Sequence, residues 1–292
     1  MKWNYRNLPY GMDRKQKLDI IIPQKKEAHA IVYIHGGAFM IGKKSQYPSF
    51  LQEYAKDAIV ATIDYRLINK DNNIELKDML FDIRDALQKI IELSYKHNVC
   101  IKDFILMGHS AGGHIALLYG YKYHQKYKNI KIAACISLSG ITDFTDYSGW
   151  LSMRFWGKNV KSRLSFLSDI ITRLTGKIIT LKQFDWTKQN NYPLFRKYII
   201  NISPIAYVKK TETVPSTLLV HSQKDDQVPY SNAVRLNAIL DNSSVSHKLI
   251  TATGKEDNHV LGGAVFNSPL SKLMKEKRWV TESKKWLEMY LS

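Results

Sequence analysis

Cysteine is scarce in this sequence: its 292 residues include only Cys100 and Cys135. Each lies in or beside an apolar run, which favours packed free thiols over a disulfide or a metal site. We therefore expect no structural disulfide, no metal site and no redox chemistry.

Long hydrophobic runs are also lacking. No segment approaches the roughly 20 apolar residues that a membrane span needs. The first residues, MKWNYRNLPYGMDRKQ, hold no apolar stretch typical of a signal peptide. We expect a cytoplasmic protein without stable membrane insertion.

Acidic residues are few, since 26 Asp and Glu face 43 Lys and Arg, for a net charge of +17. Residues 151–200 alone hold ten basic and two acidic residues. No RNA-binding signature, zinc-knuckle spacing or basic heptad accompanies this charge. We expect a solvated basic face and no nucleic-acid partner. Without internal repeats or low-complexity linkers, the chain is predicted to form a single domain, 1–292.

Apolar runs typical of strands alternate with helical patterns, which predicts an α/β fold with a mostly parallel sheet and helices on both faces. The predicted strands are KLDIIIP, HAIVYIHGG, AIVATIDYR, DFILMGHS, IKIAACISLSG, STLLVHS and SHKLITAT. The predicted helices are LKDMLFDIRDALQKIIELSYK, HIALLYGYKY, NAVRLNAIL and the C-terminal SKLMKEKRWVTESKKWLEMYL. Asp64 and Arg66 are interpreted as a structural pair at a strand end.

The segment LMGHSAGGH places a serine between glycines directly after a buried strand. Gly108 and Gly112 flank Ser110, and they remove the Cβ atoms that would collide where a strand turns sharply into a helix. This is the G-x-S-x-G nucleophile elbow, and its strand-to-helix context favours a nucleophile over an idle serine in a turn.

A serine nucleophile requires hydrogen-bond donors for the negative charge of its tetrahedral intermediate. In YIHGGAF, Gly36 and Gly37 follow a predicted strand, where backbone amides can face the same crevice. Ala111, next to the serine, offers a further N–H. We predict that these three residues form the oxyanion hole.

These motifs resemble the α/β-hydrolase superfamily, and the likeness covers nearly the whole chain. The sequence is similar to feruloyl-esterase-like and hormone-sensitive-lipase-like bacterial carboxylesterases. The shared segments include LDIIIP, IVYIHGGAF, ATIDYRL, ILMGHSAGGHIALL, SPIAYV and LLVHSQKDDQVPYSNA. The resemblance implies an α/β-hydrolase fold with roughly eight strands. Two residues depart from the pattern: Ala38 stands where the lipase-like branch has a third glycine, and Ser222 stands where a glycine usually follows His221.

A catalytic base and acid are expected in the order Ser, Asp, His. Among the histidines far enough beyond the elbow, His221 ends the strand that delivers the acid and His247 begins the last strand. His259, in the polar loop GKEDNHVLGG, is therefore the predicted base. The family pattern places the acid three residues before the Val of Val-Pro, which favours Asp225 over Asp226. Asp257 is too near His259 in sequence.

The long segment between two strands, about 144–203, is predicted to be a helical cap insertion. Within it, RLSFLSDIITRLTGKII predicts an amphipathic helix with an apolar stripe from Leu164 to Ile178. We expect this cap to shape substrate choice rather than to anchor the protein on a membrane. Its basic residues further suggest a preference for anionic substrates.

The resemblance implies a serine carboxylesterase that hydrolyses small or medium carboxylic esters through an acyl-enzyme, without a cofactor. An arylformamidase or small peptidase would use the same triad, and a catalytically silent ligand-binding protein would share the fold. The expected partner is a small-molecule ester, and a homodimer is left open.

Overall fold

A computed structural model describes residues 3–180, 183, 193–208, 213–255, 257–263 and 277–291. Within these residues one eight-stranded sheet has the order β1-β2-β4-β3-β5-β6-β7-β8. Its strands are β1 (Tyr5–Pro9), β2 (Lys17–Ile21), β3 (Glu27–Ile34), β4 (Ile59–Asp64), β5 (Cys100–His109), β6 (Ile132–Leu138), β7 (Ser216–Ser222) and β8 (His247–Ala252). β2 pairs antiparallel with β1 and β4, and all other neighbours are parallel. The predicted mostly parallel sheet is confirmed.

Helices cover both faces of the sheet, as the sequence pattern predicts. They are α1 (Leu76–Lys96), α2 (Ala111–Tyr123), α3 (Tyr147–Ser152), α4 (Val160–Thr175), α5 (Pro193–Ile202), α6 (Ile205–Val208), α7 (Tyr230–Leu240) and α8 (Arg278–Leu291). Short 3-10 helices occupy Ser49–Lys56, Arg154–Trp156 and Leu261–Gly263.

The two faces of the sheet hold separate hydrophobic cores because side chains alternate along each strand. On β3, Val32 and Ile34 face a core shared with α1 and α2. Ile31 and Tyr33 face the other core, which α8 closes with its tryptophans and Leu287. Strands buried on both faces explain the continuous apolar runs in the sequence.

The parallel strands place four loops at the same end of the sheet, beyond the carboxyl ends of the strands. β3 and β5 are neighbours, with Ile34 opposite Gly108. β6 lies between β5 and β7, and β8 follows β7 at the edge. The residues that follow β3, β5, β7 and β8 therefore converge above the carboxyl ends, where open α/β sheets form their crevices.

The elbow between β5 and α2 leaves no room for side chains at its two flanking glycines. A Cβ atom on Gly112 would lie 2.1 Å from the carbonyl oxygen of Ile34, and one on Gly108 would lie 2.2 Å from that of Gly112. Ser110 itself has a left-handed φ of 53°, a conformation that costs a non-glycine residue about 1 kcal/mol or more.

The amphipathic helix of the insertion is shorter at its C-terminal end than the sequence pattern predicts. α4 ends at Thr175 because Gly176 adopts a left-handed φ of 63°. Leu167, Ile171 and Leu174 are buried as predicted, whereas Ile178 lies beyond the helix and is 84% exposed. Residues 181, 182 and 184–192 of the predicted cap, and 271–276 of the predicted C-terminal helix, lie outside the described residues.

The predicted pairing of Asp64 with Arg66 is wrong. Arg66 forms an ion pair of 2.7 Å with Asp82 on α1, and its backbone N–H also donates to that carboxylate. Asp82 is fully buried and therefore requires a cationic partner more than Asp64 does. Asp64 instead accepts a hydrogen bond from the backbone N–H of Lys44 at 2.6 Å.

Both cysteines are free, but only Cys135 is packed in the interior. Cys100 is exposed because it is the first residue of β5, at the end of the sheet opposite the crevice. The described residues include no group of three or more His, Cys, Asp or Glu side chains placed to hold a metal ion. None of the described helices is long and apolar enough to cross a membrane.

His114 on α2 is fully buried between aromatic rings. Its Nδ1–H donates to the carbonyl oxygen of Ile141 at 2.9 Å. Its ring makes T-shaped contacts with the rings of Phe39 and Phe144. Its Nε2 has no hydrogen-bond partner among the described residues. Burial lowers the pKa of His114 to about 4, although the bond to Ile141 acts in the opposite direction.

The burial of His114 predicts a pH-dependent contribution to stability. Between pH 4 and about 6.5 the unfolded chain binds a proton at this histidine and the folded chain does not, so stability falls as the pH is lowered through that window. Replacing His114 by Gln should reduce the slope of the free energy of unfolding against pH by about 1.4 kcal/mol per pH unit in that window. Urea unfolding at several pH values measures this slope, with His97→Gln on the surface as the control. An unchanged slope would contradict the assignment.

Candidate active site

Ser110, His259 and Asp225 lie within hydrogen-bonding distance of one another, although they come from three separate loops. The Nε2 atom of His259 is 2.9 Å from the Oγ atom of Ser110. Its Nδ1 atom is 2.9 Å from Oδ2 and 3.0 Å from Oδ1 of Asp225. A carboxylate can only accept, so Nδ1–H donates to Asp225 and Nε2 is left to accept the Ser110 hydroxyl proton.

The three side chains are nearly buried. Ser110 is 8% exposed, Asp225 is 6% exposed and His259 is 5% exposed. Burial in a medium of low polarity strengthens each of these hydrogen bonds and excludes competing water. Asp226, the neighbour that the sequence leaves as an alternative, is exposed to solvent.

Backbone and side-chain donors surround the Asp225 carboxylate. The backbone N–H groups of Gln227 and Val228 donate to Oδ1 at 2.9 Å and 2.8 Å. Burial would raise the pKa of Asp225, but hydrogen bonds from His221 and His259 outweigh burial and hold that pKa well below its usual range. Asp225 is therefore ionised at neutral pH.

His221 is a contact of this site that the sequence reasoning missed. Its Nε2 atom lies 3.1 Å from Oδ2 of Asp225 and 3.1 Å from the carbonyl oxygen of Val228. Its exclusion as the base agrees with the geometry, because His259 and not His221 contacts Ser110. The spacing of four residues between His221 and Asp225, across a turn at a strand end, is the signal that could have revealed this contact.

His109, next to the serine, supports the loop that carries His259. Its Nε2–H donates to the backbone carbonyl of His259 at 2.9 Å. Burial and the neighbouring His259 lower the pKa of His109 to about 3. This imidazole therefore stays neutral at neutral pH and holds the position of His259 without competing for its proton.

Ser222 and Asp257 hold the same loop from the other side. The Ser222 hydroxyl donates to the carbonyl oxygen of Asp257 at 2.6 Å. The serine that stands here in place of the family's glycine therefore connects the end of β7 to the loop after β8. The Asp257 carboxylate accepts from the backbone N–H of Gly254 and contacts the Lys277 ammonium. As the sequence reasoning predicts, Asp257 does not orient His259.

Gly36, Gly37 and Ala111 lie around the serine. A Cβ atom on Gly36 would lie 3.1 Å from Cβ of Ser110, so this glycine approaches the serine closely. Ala111 begins α2, where the first N–H groups of a helix have no partner in the helix. Across the described residues, no carbonyl accepts a hydrogen bond from the N–H of Gly37 or Ala111. These amides are thus available to an oxygen atom beside Ser110.

A cavity of about 410 Å³ opens above Ser110 and His259. Its wall combines the loop after β3 with residues of the insertion, including Phe144, Trp150, Phe155, Trp156 and Phe166. No Asp, Glu, Lys or Arg is among the described residues that line it. The described basic residues of the insertion thus lie outside the cavity wall, which gives the expected preference for anionic substrates no support.

Solved esterases share this fold. Esterase B from Lactobacillus rhamnosis, in an inhibited form, superposes with a TM-score of 0.67 over 99% of this chain and 90% of that chain, at 16% identity. A truncated carbohydrate esterase from gut microbiota gives a TM-score of 0.67 over 95% of both chains, at 20% identity. Together with the mostly parallel eight-stranded sheet, these likenesses confirm the predicted α/β-hydrolase fold.

Curated relatives match at low identity. A probable isoprenylcysteine alpha-carbonyl methylesterase from Oryza sativa subsp. japonica is 25% identical over 263 residues, which cover 87% of this chain. Kynurenine formamidase from Salmo salar is 27% identical over 141 residues, which cover 47% of this chain. The chain spans 58% of the length of the first and 46% of the second.

A family model called BD-FAE matches residues 18–240. This range runs from β2 to the end of α7 and includes Gly36, Gly37, Ser110 and Asp225. The match confirms the resemblance to feruloyl-esterase-like α/β-hydrolases that the motifs indicate. The chain belongs to the BD-FAE family.

Proposed function

We propose that this chain is a serine carboxylesterase that hydrolyses small or medium carboxylic esters through an acyl-enzyme. The observation that carries the proposal is the continuous path from Ser110 Oγ to His259 Nε2 at 2.9 Å and from His259 Nδ1 to Asp225 Oδ2 at 2.9 Å. A serine placed in this way has a general base within reach, and the base has a carboxylate to orient it.

The reaction begins when His259 Nε2 takes the Ser110 hydroxyl proton and Oγ attacks the ester carbonyl carbon. The N–H groups of Gly36, Gly37 and Ala111 stabilise the oxyanion of the tetrahedral intermediate. Collapse of this intermediate breaks the bond to the alcohol oxygen, which receives the proton from His259. Water repeats the steps on the acyl-enzyme, and the acid is released. Asp225 stabilises the imidazolium throughout, and no cofactor takes part.

The insertion, about residues 144–203, supplies much of the cavity wall, which supports its role as a cap that shapes substrate choice. Phe144, Trp150, Trp156 and Phe166 line the same cavity as Ser110. We propose that the cap and the sheet form one catalytic domain over residues 1–292. A cytoplasmic location and a homodimer remain predictions.

Formamide hydrolysis is a second candidate function. The partial match to the kynurenine formamidase of Salmo salar favours it, and the same three residues would perform it. The ester is preferred because the match to a methylesterase covers 87% of this chain, against 47% for the formamidase.

Ser110 is expected to be essential for hydrolysis. Ser110→Ala should reduce kcat/KM for p-nitrophenyl acetate by at least ~10³, since the acyl-enzyme cannot form. Hydrolysis is followed at 405 nm as p-nitrophenolate is released, and N-formylkynurenine serves as the second substrate. Equal rates for the variant and the wild type would overturn the proposal, whereas activity on N-formylkynurenine alone would favour the formamidase.

Asp225 and Asp226 provide a matched pair of variants. Asp225→Asn should lower kcat on the order of 10³ to 10⁴, because an amide cannot hold the His259 tautomer or stabilise its cation. Asp226→Asn should change kcat little, since its side chain is exposed. Steady-state kinetics and an unfolding curve are measured for both. A larger loss of kcat in Asp226→Asn than in Asp225→Asn would instead assign the catalytic acid to Asp226.

A further inference from the structure

The apolar character of the cavity narrows the substrate class. We propose that the site takes a neutral ester whose apolar substituent lies against Trp156 and Phe166, and that it discriminates against esters of sugars and other polyols. This inference rests on the proposed esterase function.

The cap builds an aromatic wall on one side of the cavity. The rings of Trp156 and Phe166 stack with centroids 4.1 Å apart and planes 9° apart. Phe155 contacts Trp156 edge-on with ring centroids 4.6 Å apart, and it is 56% exposed. Phe144 and Trp150, which are buried, stack with ring centroids 5.8 Å apart. Such rings offer a continuous apolar surface to an alkyl chain or another ring.

The described cavity wall has few side chains that could form hydrogen bonds with substrate hydroxyl groups. Gln46 and Gln227 are the only carboxamides among the described residues lining the cavity, and the Oε1 atom of Gln46 accepts from the backbone N–H of Lys43 at 2.9 Å. The imidazoles of His109 and His259 are used within the site. A polyol would leave water for a surface that cannot replace its hydrogen bonds, which opposes binding.

The cavity is large enough for a substituent longer than a few carbons. An apolar cavity of about 150 Å³ accommodates benzene, and this cavity measures about 410 Å³. A substituent at least as large as a benzene ring therefore fits in the cavity. Each methylene group that moves from water to such a wall should raise kcat/KM about fourfold.

Trp156 also connects the wall to the acid. Its indole N–H donates to the carbonyl of Gln227 at 2.6 Å, and the N–H of Gln227 donates to Oδ1 of Asp225 at 2.9 Å. The position of this ring is thereby fixed relative to the triad. We assign Trp156 as a residue that determines specificity through its contact with the substituent.

Two basic side chains of the insertion, Arg163 and Arg173, bond to other groups of the insertion. Arg163 donates through Nε to the carbonyl of Gly157 at 2.8 Å and contacts that of Leu151. Arg173 pairs with Asp169 at 2.9 Å. Arg154 is exposed and is not among the described residues lining the cavity, so a variant at this position is a control for substitutions near Trp156 that do not alter the cavity wall.

The test is a series of kcat/KM values for p-nitrophenyl acetate, butyrate, hexanoate and octanoate, and for methyl, butyl and hexyl acetate. The first series extends the acyl side and the second extends the alcohol side, so they show which part of the ester occupies the wall. A rise of about threefold to fourfold per methylene in either series supports the proposal. An acetylated xylo-oligosaccharide should be a poorer substrate than hexyl acetate by at least ~10-fold.

Three variants locate the effect. Trp156→Ala should reduce the hexanoate-to-acetate ratio of kcat/KM, or the ratio of hexyl to methyl acetate if the alcohol series is the one that rises, by at least ~10-fold. The use of a ratio cancels any general loss of activity. Trp156→Phe, which keeps a ring but loses the N–H, should retain most of that ratio. Arg154→Ala should leave the ratio and the acetate rate unchanged.

The outcomes separate the two proposals. Ser110-dependent hydrolysis with no increase along either series, or with the sugar ester preferred, would overturn the apolar assignment and leave the esterase function intact. A ratio unaffected by Trp156→Ala would overturn the role of this residue. If no ester is hydrolysed in a Ser110-dependent manner, the proposed function is wrong and this inference falls with it.

Discussion

An ionised carboxylate, that of Asp225, lies in the interior with 6% of its residue surface exposed. A buried charge is tolerated only where hydrogen bonds replace the lost water, and the rest of the site follows from this requirement. Gln227, Val228 and His221 satisfy part of the carboxylate. The carboxylate also accepts a hydrogen bond from His259 Nδ1–H, which fixes the orientation of that imidazole. Removal of any of these donors would raise the pKa of Asp225 and loosen the imidazole at the same time.

The same requirement links the catalytic loops to the cap. The turn that wraps Asp225 presents the carbonyl of Gln227 to the indole N–H of Trp156. His109 and Ser222 hold the His259 loop from two directions, through the carbonyls of His259 and Asp257. Ser110, His259 and Asp225, the loops that carry them and the aromatic wall of the cavity are therefore joined by hydrogen bonds. Under the proposed function, substrate selection and proton transfer would depend on the same contacts.

Much of the fold could be predicted from the sequence because local patterns determine it. The stripe through Leu80, Ile83 and Leu87 predicts α1 with its observed ends. The glycines around Ser110 predict the elbow. A Cβ atom at Gly112 would lie 2.1 Å from the carbonyl oxygen of Ile34, so only glycine fits there.

What the sequence could not reveal depends on contacts between distant elements. The partner of Arg66 is a buried carboxylate on α1, and no local pattern indicates which of two nearby acids will be buried. The contact of His221 with Asp225 depends on how one turn folds back. The apolar cavity forms where residues of the insertion lie beside the loop after β3, so the net charge of the insertion does not indicate the polarity of the described cavity wall.

The central claim is that His259 activates Ser110, and irreversible labelling measures this most directly. The full chain is treated with diethyl p-nitrophenyl phosphate, and the adduct is located by mass spectrometry while p-nitrophenol release gives the rate. We predict one diethylphosphoryl group per chain, on Ser110, with the rate at least ~10³ lower in His259→Ala. An adduct on another residue, or equal labelling rates with and without the His259 imidazole, would contradict the account.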